Sequence, residues 1–285
     1  MMAETNKIFV ILDPTTMEQP SLVMAESIAA NFKARGNEPT GLHVYCCIDE
    51  KTIRAKNDEN LDELRAKTRE SAADWVDRIV GHSRTLDVSV ETEVEVSDDW
   101  RKAIALAVAR QNCVLAIKGM SQRSRLTRLF RDRSDWQLLR DTACPVYLVK
   151  TSPNRPIRNV LAAIKHRTEK QVYTDANDII LETARGIAGG LGADLHVVTA
   201  YKDSFNYPDR QKFADRCKLP RNRVRAEMGS PDDAIAAAAR EIDADMVVIA
   251  RVGKPGGERD VGHTAEKIID ALDTNLLVLP MRDAG

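Results

Sequence analysis

Residues 246–279 read MVVIARVGKPGGERDVGHTAEKIIDALDTNLLVL, and the fold follows from how that stretch is punctuated. Met246 to Ala250 is an apolar run, Arg251 to Gly262 a glycine-rich loop, Thr264 to Leu272 an amphipathic segment, and Leu276 to Leu279 a second apolar run. Short runs of β-branched and aliphatic residues on either side of a segment with helical period predict two buried parallel strands joined by a crossover helix. In such a unit the ligand occupies the crevice at the carboxyl ends of the strands. There the loop entering the helix presents free backbone N–H groups and the positive end of the helix dipole. Gly253, Gly256, Gly257 and Gly262 let that backbone approach an anion, phosphate being the natural one, because glycine tolerates φ > 0 and carries no Cβ. The same residues also suit a surface loop that merely leads into a helix.

Upstream of this stretch, Ile179, Ile180, Ala184, Ile187, Ala188 and Leu191 mark a helix that ends among Gly189, Gly190 and Gly192. These glycines contain a G-x-G, but they follow a helix and precede a strand, the reverse of a dinucleotide fingerprint, so they read as a C-cap with close packing. Ser230-Pro231-Asp232-Asp233 is a helix start with a capping hydroxyl, proline at the first position and acids in the first turn. Between these elements, Asp203 to Asn222 contains Pro208 and Pro220 and has weak periodicity. No long helix is expected there, and the crevice beside it is expected to open.

The first half of the chain carries the same pattern. Ile8 to Leu12 is a strand ending at Asp13-Pro14, a helix follows through Leu22, Ala25, Ile28, Ala29 and Phe32 to Gly36, and Leu42 to Ile48 is the next strand. Leu61, Leu64, Ala72, Trp75, Val76 and Ile79 share one stripe of a longer helix that ends near Gly81. Val88 to Val96 alternates as a half-buried strand nearer an edge, Asp98 or Asp99 caps the next helix, and Val114 to Ile117 and Val146 to Val149 are buried strands. Between those two strands Arg123, Arg125, Arg128, Arg131 and Arg133 stand in a loop without glycine. Such a loop either holds an anion through guanidinium groups or is a solvated basic surface.

The halves are an internal repeat. Leu42-His43-Val44 returns as Leu195-His196-Val197, Val10 to Leu12 as Leu161 to Ile164, Val114 to Ile117 as Val247 to Ala250, and Val146 to Val149 as Leu276 to Leu279. The offset is about 152 positions for the first two strands and about 131 for the later ones, so the second half has lost about 20 residues between its second and third strands. Thr151 to Pro156, with two prolines, reads as the linker. The expected domains are therefore 1–150 and 157–285, joined by 151–156.

With Lys+Arg 42 against Asp+Glu 43 in 285 residues, the net charge is -1, and no global basic field draws the protein to nucleic acid or membrane. No apolar run is long enough to span a bilayer, and Glu4 to Lys7 is hydrophilic where a signal peptide would be apolar, so a cytoplasmic location is expected. Cys46 and Cys47 are adjacent, and Cys113, Cys144 and Cys217 stand alone, without metal-ligand spacing. They read as reduced, mostly buried thiols. His43 and His196 lie inside strands and read as structural.

An Asp closing the first strand, Leu-His-Val in the second, and a glycine loop running into Gly262-His263-Thr264-Ala265-Glu266 together resemble the universal stress protein family, and within it the tandem-domain E type. Ser134-Asp135-Trp136-Gln137-Leu138-Leu139-Arg140 followed by Cys144-Pro145-Val146 is similar to the first domain of that type. The resemblance covers about residues 7 to 282. It implies an α/β fold of two tandem domains, Rossmann-like and akin to the adenine nucleotide alpha hydrolases, each a five-stranded parallel sheet with helices on both faces. It also implies pairing through the last strands, satisfied here by an intramolecular pseudo-dimer, with a further homodimer open.

Family members that bind ATP use a pattern of glycine, two residues, glycine, nine residues, glycine and Ser/Thr, with an aspartate ending the first strand. Here the second half supplies Gly253, Gly256 and Gly262, but only five residues separate Gly256 from Gly262. His263 replaces Ser/Thr, Thr264 brings a hydroxyl one position late, and Lys165 replaces the aspartate. The first half keeps Asp13 and lacks the glycines. Each lost charge-assisted bond costs about 1.5–3 kcal/mol, whereas Lys165, Lys254 and His263 supply compensating charge for ATP, another adenine nucleotide or a different small anion.

The sequence holds no Walker A motif, G-x-S-x-G elbow or H-E-x-x-H, and no nucleophile with an identifiable base. The resemblance therefore implies a non-catalytic binding or signalling module in stress survival with weak or altered nucleotide binding in the second half and protein partners to recruit. A slow ATPase using Asp13 and the Gly253 to Thr264 loop, and a ligand-free scaffold, are the alternatives.

Overall fold

Within each half of the chain every strand ladder is parallel, and a parallel sheet is stable only when helices cover both of its faces. The computed structural model describes residues 7–36, 41–53, 60–81, 83, 88–120, 134–253 and 263–282, the side chains of 134–137, 253, 263–266 and 282 excepted. The chain divides into two units, Met1–Asn154 and Arg155–Gly285.

In the first unit the order of elements is β1 (Lys7–Leu12), α1 (Pro20–Ala34), β2 (Gly41–Asp49), α2 (Leu61–Ile79), β3 (Val90–Ser97), α3 (Trp100–Gln111), β4 (Leu115–Gly119), α4 (Ser134–Asp141) and β5 (Val146–Val149). Its strands lie in the order β3-β2-β1-β4-β5. The chain first steps outward from β1 to β3 and then returns through β4 to β5. Right-handed crossovers therefore place α1 and α2 on one face and α3 and α4 on the other. The central strand β1 is buried along nearly its whole length, and β3, at the edge, is half-exposed with alternating Val and Glu. Asp99 caps α3 by accepting from the amide of Lys102 at 3.1 Å.

The second unit repeats this plan with β6 (Asn159–Ala163), α5 (Gln171–Leu191), β7 (Asp194–Tyr201), α6 (Arg210–Cys217), β8 (Val224–Met228), α7 (Pro231–Glu241), β9 (Met246–Gly253), α8 (His263–Ala271) and β10 (Asn275–Arg282). Its strands lie in the order β8-β7-β6-β9-β10. Helix α5 ends at Gly192, whose φ of +67° is the left-handed conformation that a residue with Cβ adopts only under strain. Ser230 caps α7 with Pro231 in its first turn. At the base of the unit the buried carboxylate of Asp245, 5% exposed, accepts from the amides of Arg158 and Asn159 and pairs with Arg155.

Two expectations are corrected. Arg251, Val252 and Gly253 do not begin the loop. They continue β9, because β10 runs alongside to Arg282 and pairs Pro280 with Arg251, Met281 with Val252 and Arg282 with Gly253. The segment 203–222 also does not open its side of the sheet for want of a long helix, because a short one covers it. The eight residues of α6 lie on it, with Phe213, Ala214 and Cys217 buried. Asp209 starts this helix by accepting from the amides of Gln211 and Lys212. Lys218 ends it at φ +51°, so Pro208 and Pro220 bracket a short helix instead of preventing one.

Because Phe213 is the main apolar anchor of α6, Phe213→Ala is expected to lower the unfolding free energy by about 3–4 kcal/mol, read from urea denaturation. A loss below about 1 kcal/mol would mean that α6 does not seal the sheet.

Candidate functional site

In each unit a carboxamide side chain holds the turn from the first strand into the first helix, at the carboxyl end of the sheet, the end at which open parallel sheets bind ligands. In the first unit Gln19, 7% exposed, accepts from the amide of Asp13 at 2.9 Å and donates to the carbonyls of Asp13 and Thr16 at 2.8 and 2.7 Å. In the second, Asn177 of α5, 8% exposed, accepts from the amide of Lys165 and donates to its carbonyl, both at 2.8 Å. A carboxamide matches the task because it carries one acceptor and one two-proton donor in a plane, the complement of a peptide N–H and C=O.

The side chains on these turns differ. One oxygen of Asp13 accepts from the amide and the hydroxyl of Thr15, at 2.9 and 2.6 Å, so the carboxylate serves its own turn. Beside it, Gly119 at the end of β4 packs against Pro20 at the start of α1. A Cβ at Gly119 would stand 2.7 Å from the proline ring, so only glycine allows this approach.

Lys165 is exposed, with its Nζ 4.2 Å from the centre of the Tyr173 ring, a cation–π contact. The next residue, His166, donates its amide to Thr199 of β7 at 2.9 Å, and its ring meets the Phe213 ring edge-on at 5.4 Å. Arg216 of α6 donates to the His166 carbonyl at 3.1 Å and lies over Phe213. Burial first, then the charges of Arg216 and Arg167, hold the His166 pKa below 6.5. Its buried Nδ1 has no hydrogen-bond partner among the described residues. The turn after β6 thus carries Lys165 and Arg167 on either side of His166 in the chain, with Arg216 of α6 bonded to the His166 carbonyl, and burial and these arginines favour the neutral imidazole.

Of the other residues expected in this site, Gly253 ends β9, and His263 and Thr264 open α8, whose Ile268 and Ile269 are buried. The order of elements brings the end of β9 and the start of α8 to the same edge of the sheet as Lys165. Lys254, Gly256 and Gly262 lie outside the described residues, as do Arg123, Arg125, Arg128, Arg131 and Arg133. Sequence reasoning did not find Asn177, His166, Thr199 or Arg216. Asn177 lies on the buried stripe of α5, where a polar residue signals a backbone partner, and His166 directly follows Lys165. Among the described residues no cluster of three or more His, Cys, Asp or Glu is placed to hold a metal ion. No helix among them is long and apolar enough to cross a membrane.

The repeated Leu-His-Val strand meets opposite charge in the two units. His43 is buried, with Nε2 2.9 Å from Glu93 and Nδ1 3.3 Å from Glu91, both on β3. His196 faces Arg223 and Arg225 instead, and burial together with those arginines lowers its pKa from 6.5.

A family model for the universal stress protein family matches residues 5–150 and 198–280, which is most of both units. The chain belongs to the universal stress protein family. This universal stress protein is 25% identical to universal stress protein E of Escherichia coli K12, an alignment that covers 98% of this chain and 95% of that one. It is 24% identical to the universal stress protein E homolog of Haemophilus influenzae, over 95% and 96% of the two chains. Among solved structures it is similar to a putative universal stress protein of Pseudomonas aeruginosa UCBPP-PA14, with 25% identity, a TM-score of 0.75 and coverage of 98% and 94%. Membership supports a role in the stress response, and the α/β fold of two universal stress protein domains agrees with it.

Two outcomes follow for this universal stress protein. Asn177→Leu leaves the amide and carbonyl of Lys165 unpaired and is expected to cost about 1–3 kcal/mol of stability in urea unfolding, with Asn177→Asp losing part of that. The unfolded chain protonates His166 and His196 more readily than the folded one does. Their contribution to stability is therefore complete above about 6.5 and is lost as pH falls from there through the lowered folded values. Thermal unfolding followed by circular dichroism from pH 8 to 5 should show this decline, and the H166Q/H196Q double variant should flatten it.

Proposed function

We propose that this protein is a non-catalytic binding and signalling module of the cytosolic stress response whose second unit takes an adenine nucleotide, or a related small anion, with modest affinity. The observation that carries this reading is the cationic group of Lys165, Arg167 and Arg216 at the turn after β6. Lys165 there occupies the place of the aspartate in the family's ATP-binding pattern. A cation in that place favours phosphate or carboxylate groups electrostatically. Gly253, Gly256, Gly262, Lys254, His263 and Thr264 complete the proposed site through backbone amides, charge and one hydroxyl at the entry to α8. On the same edge of the sheet, the turn after β7 carries Phe205, 93% exposed, and Tyr207, whose ring faces suit stacking with a base. In the first unit Asp13 is committed to Thr15, which favours the second unit as the binding half.

Mass spectrometry of small molecules released on denaturing the full chain, together with calorimetric titration of Mg-ATP, tests this. The expected result is a dissociation constant of about 0.1–1 mM, weakened about tenfold or more by Lys165→Glu or Arg216→Glu. Steady hydrolysis of the ATP during the titration would instead favour a slow ATPase. Absence of both a released molecule and binding heat at millimolar ATP would overturn the nucleotide reading and favour a scaffold for protein partners.

A further inference from the structure

Cys113 and Cys144, read from the sequence as isolated thiols, are neighbours in the fold. Each stands two residues ahead of a strand, Cys113 before β4 and Cys144 before β5. These strands pair from Ala116 with Val146 onward. The amide of Ala116 donates to the carbonyl of Pro145 at 2.9 Å, which fixes the two strand entries beside each other. The sulfurs are 3.2 Å apart in a thiol–thiol hydrogen bond. A disulfide requires about 2.05 Å, so closure takes roughly 1.2 Å, within reach of small side-chain rotations. Cys113 is 7% exposed, and Cys144 is half-buried.

We propose that Cys113 and Cys144 form a reversible dithiol–disulfide couple, a redox-modification site that a hydroperoxide oxidises and a small dithiol reduces. The Cys113 thiolate attacks the peroxide O–O bond, forms an S–O bond and expels the second oxygen, which leaves as water or an alcohol after taking up a proton. The Cys144 sulfur then attacks the Cys113 sulfenic acid. The S–S bond forms, and the hydroxyl leaves as water with the Cys144 proton. The two sulfurs lose two electrons in all, and the peroxide accepts them.

In the dithiol Cys113 donates to Cys144. Once Cys113 ionises, the Cys144 thiol donates back to the thiolate, which lowers the Cys113 pKa and makes Cys144 hold its own proton more tightly. Burial instead pushes Cys46 and Cys47 up to about 12 and Cys217 up to about 11, leaving them protonated and slow to react. Closing the loop between positions 113 and 144 constrains the unfolded chain, so oxidation is expected to raise the Tm of the first unit by about 5–10 °C.

The test treats the purified full chain with hydrogen peroxide, alkylates the remaining thiols and maps the peptides. The expected product is a Cys113–Cys144 linked peptide with an intact mass lower by ~2 Da, reversed by dithiothreitol. The C46S/C47S/C217S variant should keep the linkage, and C113S and C144S should each lose it. Full alkylation of both Cys113 and Cys144 after peroxide treatment of the unsubstituted protein, or a linkage through other cysteines, would overturn the proposal.

Discussion

The requirement that a parallel sheet be covered on both faces governs each unit. Strands such as β1 and β6 have no polar side to give to water, so every crossover must lay a helix on the sheet. The second unit meets this with fewer residues. Where the first spends the 19 residues of α2, the second uses the eight of α6, anchored by Phe213, Ala214 and Cys217. That economy brings Arg216 and Phe213 against His166. The placing of Arg216 at the turn after β6 is therefore a by-product of how this sheet is sealed.

The buried strands and the repeat were legible because a buried parallel strand is an unbroken apolar run, and Leu-His-Val marks the same register in both halves. Strand β8, with Arg225 and Glu227 among its five residues, carries no such run and was not read. Caps were legible for the same local reason. Ser230, Asp99 and Gly192 act on backbone groups within a few positions of themselves. What could not be read is what depends on partners distant in sequence. Arg251 to Gly253 look like loop until β10 is laid alongside them. Pro208 and Pro220 look like breakers until Asp209 and Lys218 are seen to start and stop a helix between them. Asn177 is 12 positions from the peptide group it holds, and Cys113 is 31 from Cys144. The glycine-loop residues Gly253, His263 and Thr264 were brought into one site by the resemblance to the family's ATP-binding pattern. The fold places their backbones at one edge of the sheet.

The two units share a backbone plan and differ in sign. The edge strand beside β2 carries Glu91, Glu93 and Glu95, whereas Arg223 and Arg225 flank the corresponding place beside β7. Asp13 stands where the repeat has Lys165. The shared histidine accordingly meets carboxylates in one unit and guanidinium groups in the other. One scaffold thus presents two electrostatic surfaces, which is what a duplicated binding fold needs before its copies can recognise different molecules.

The carboxamide at the first turn explains how such divergence costs the fold little. Gln19 and Asn177 grip the peptide unit of the residue they hold and ignore its side chain. A duplicated gene carrying this device is free to exchange an acid for a base on that turn without reshaping the bend beneath it. Specificity and foldability are inherited separately at this position, so ligand preference can drift in one copy while its architecture is preserved.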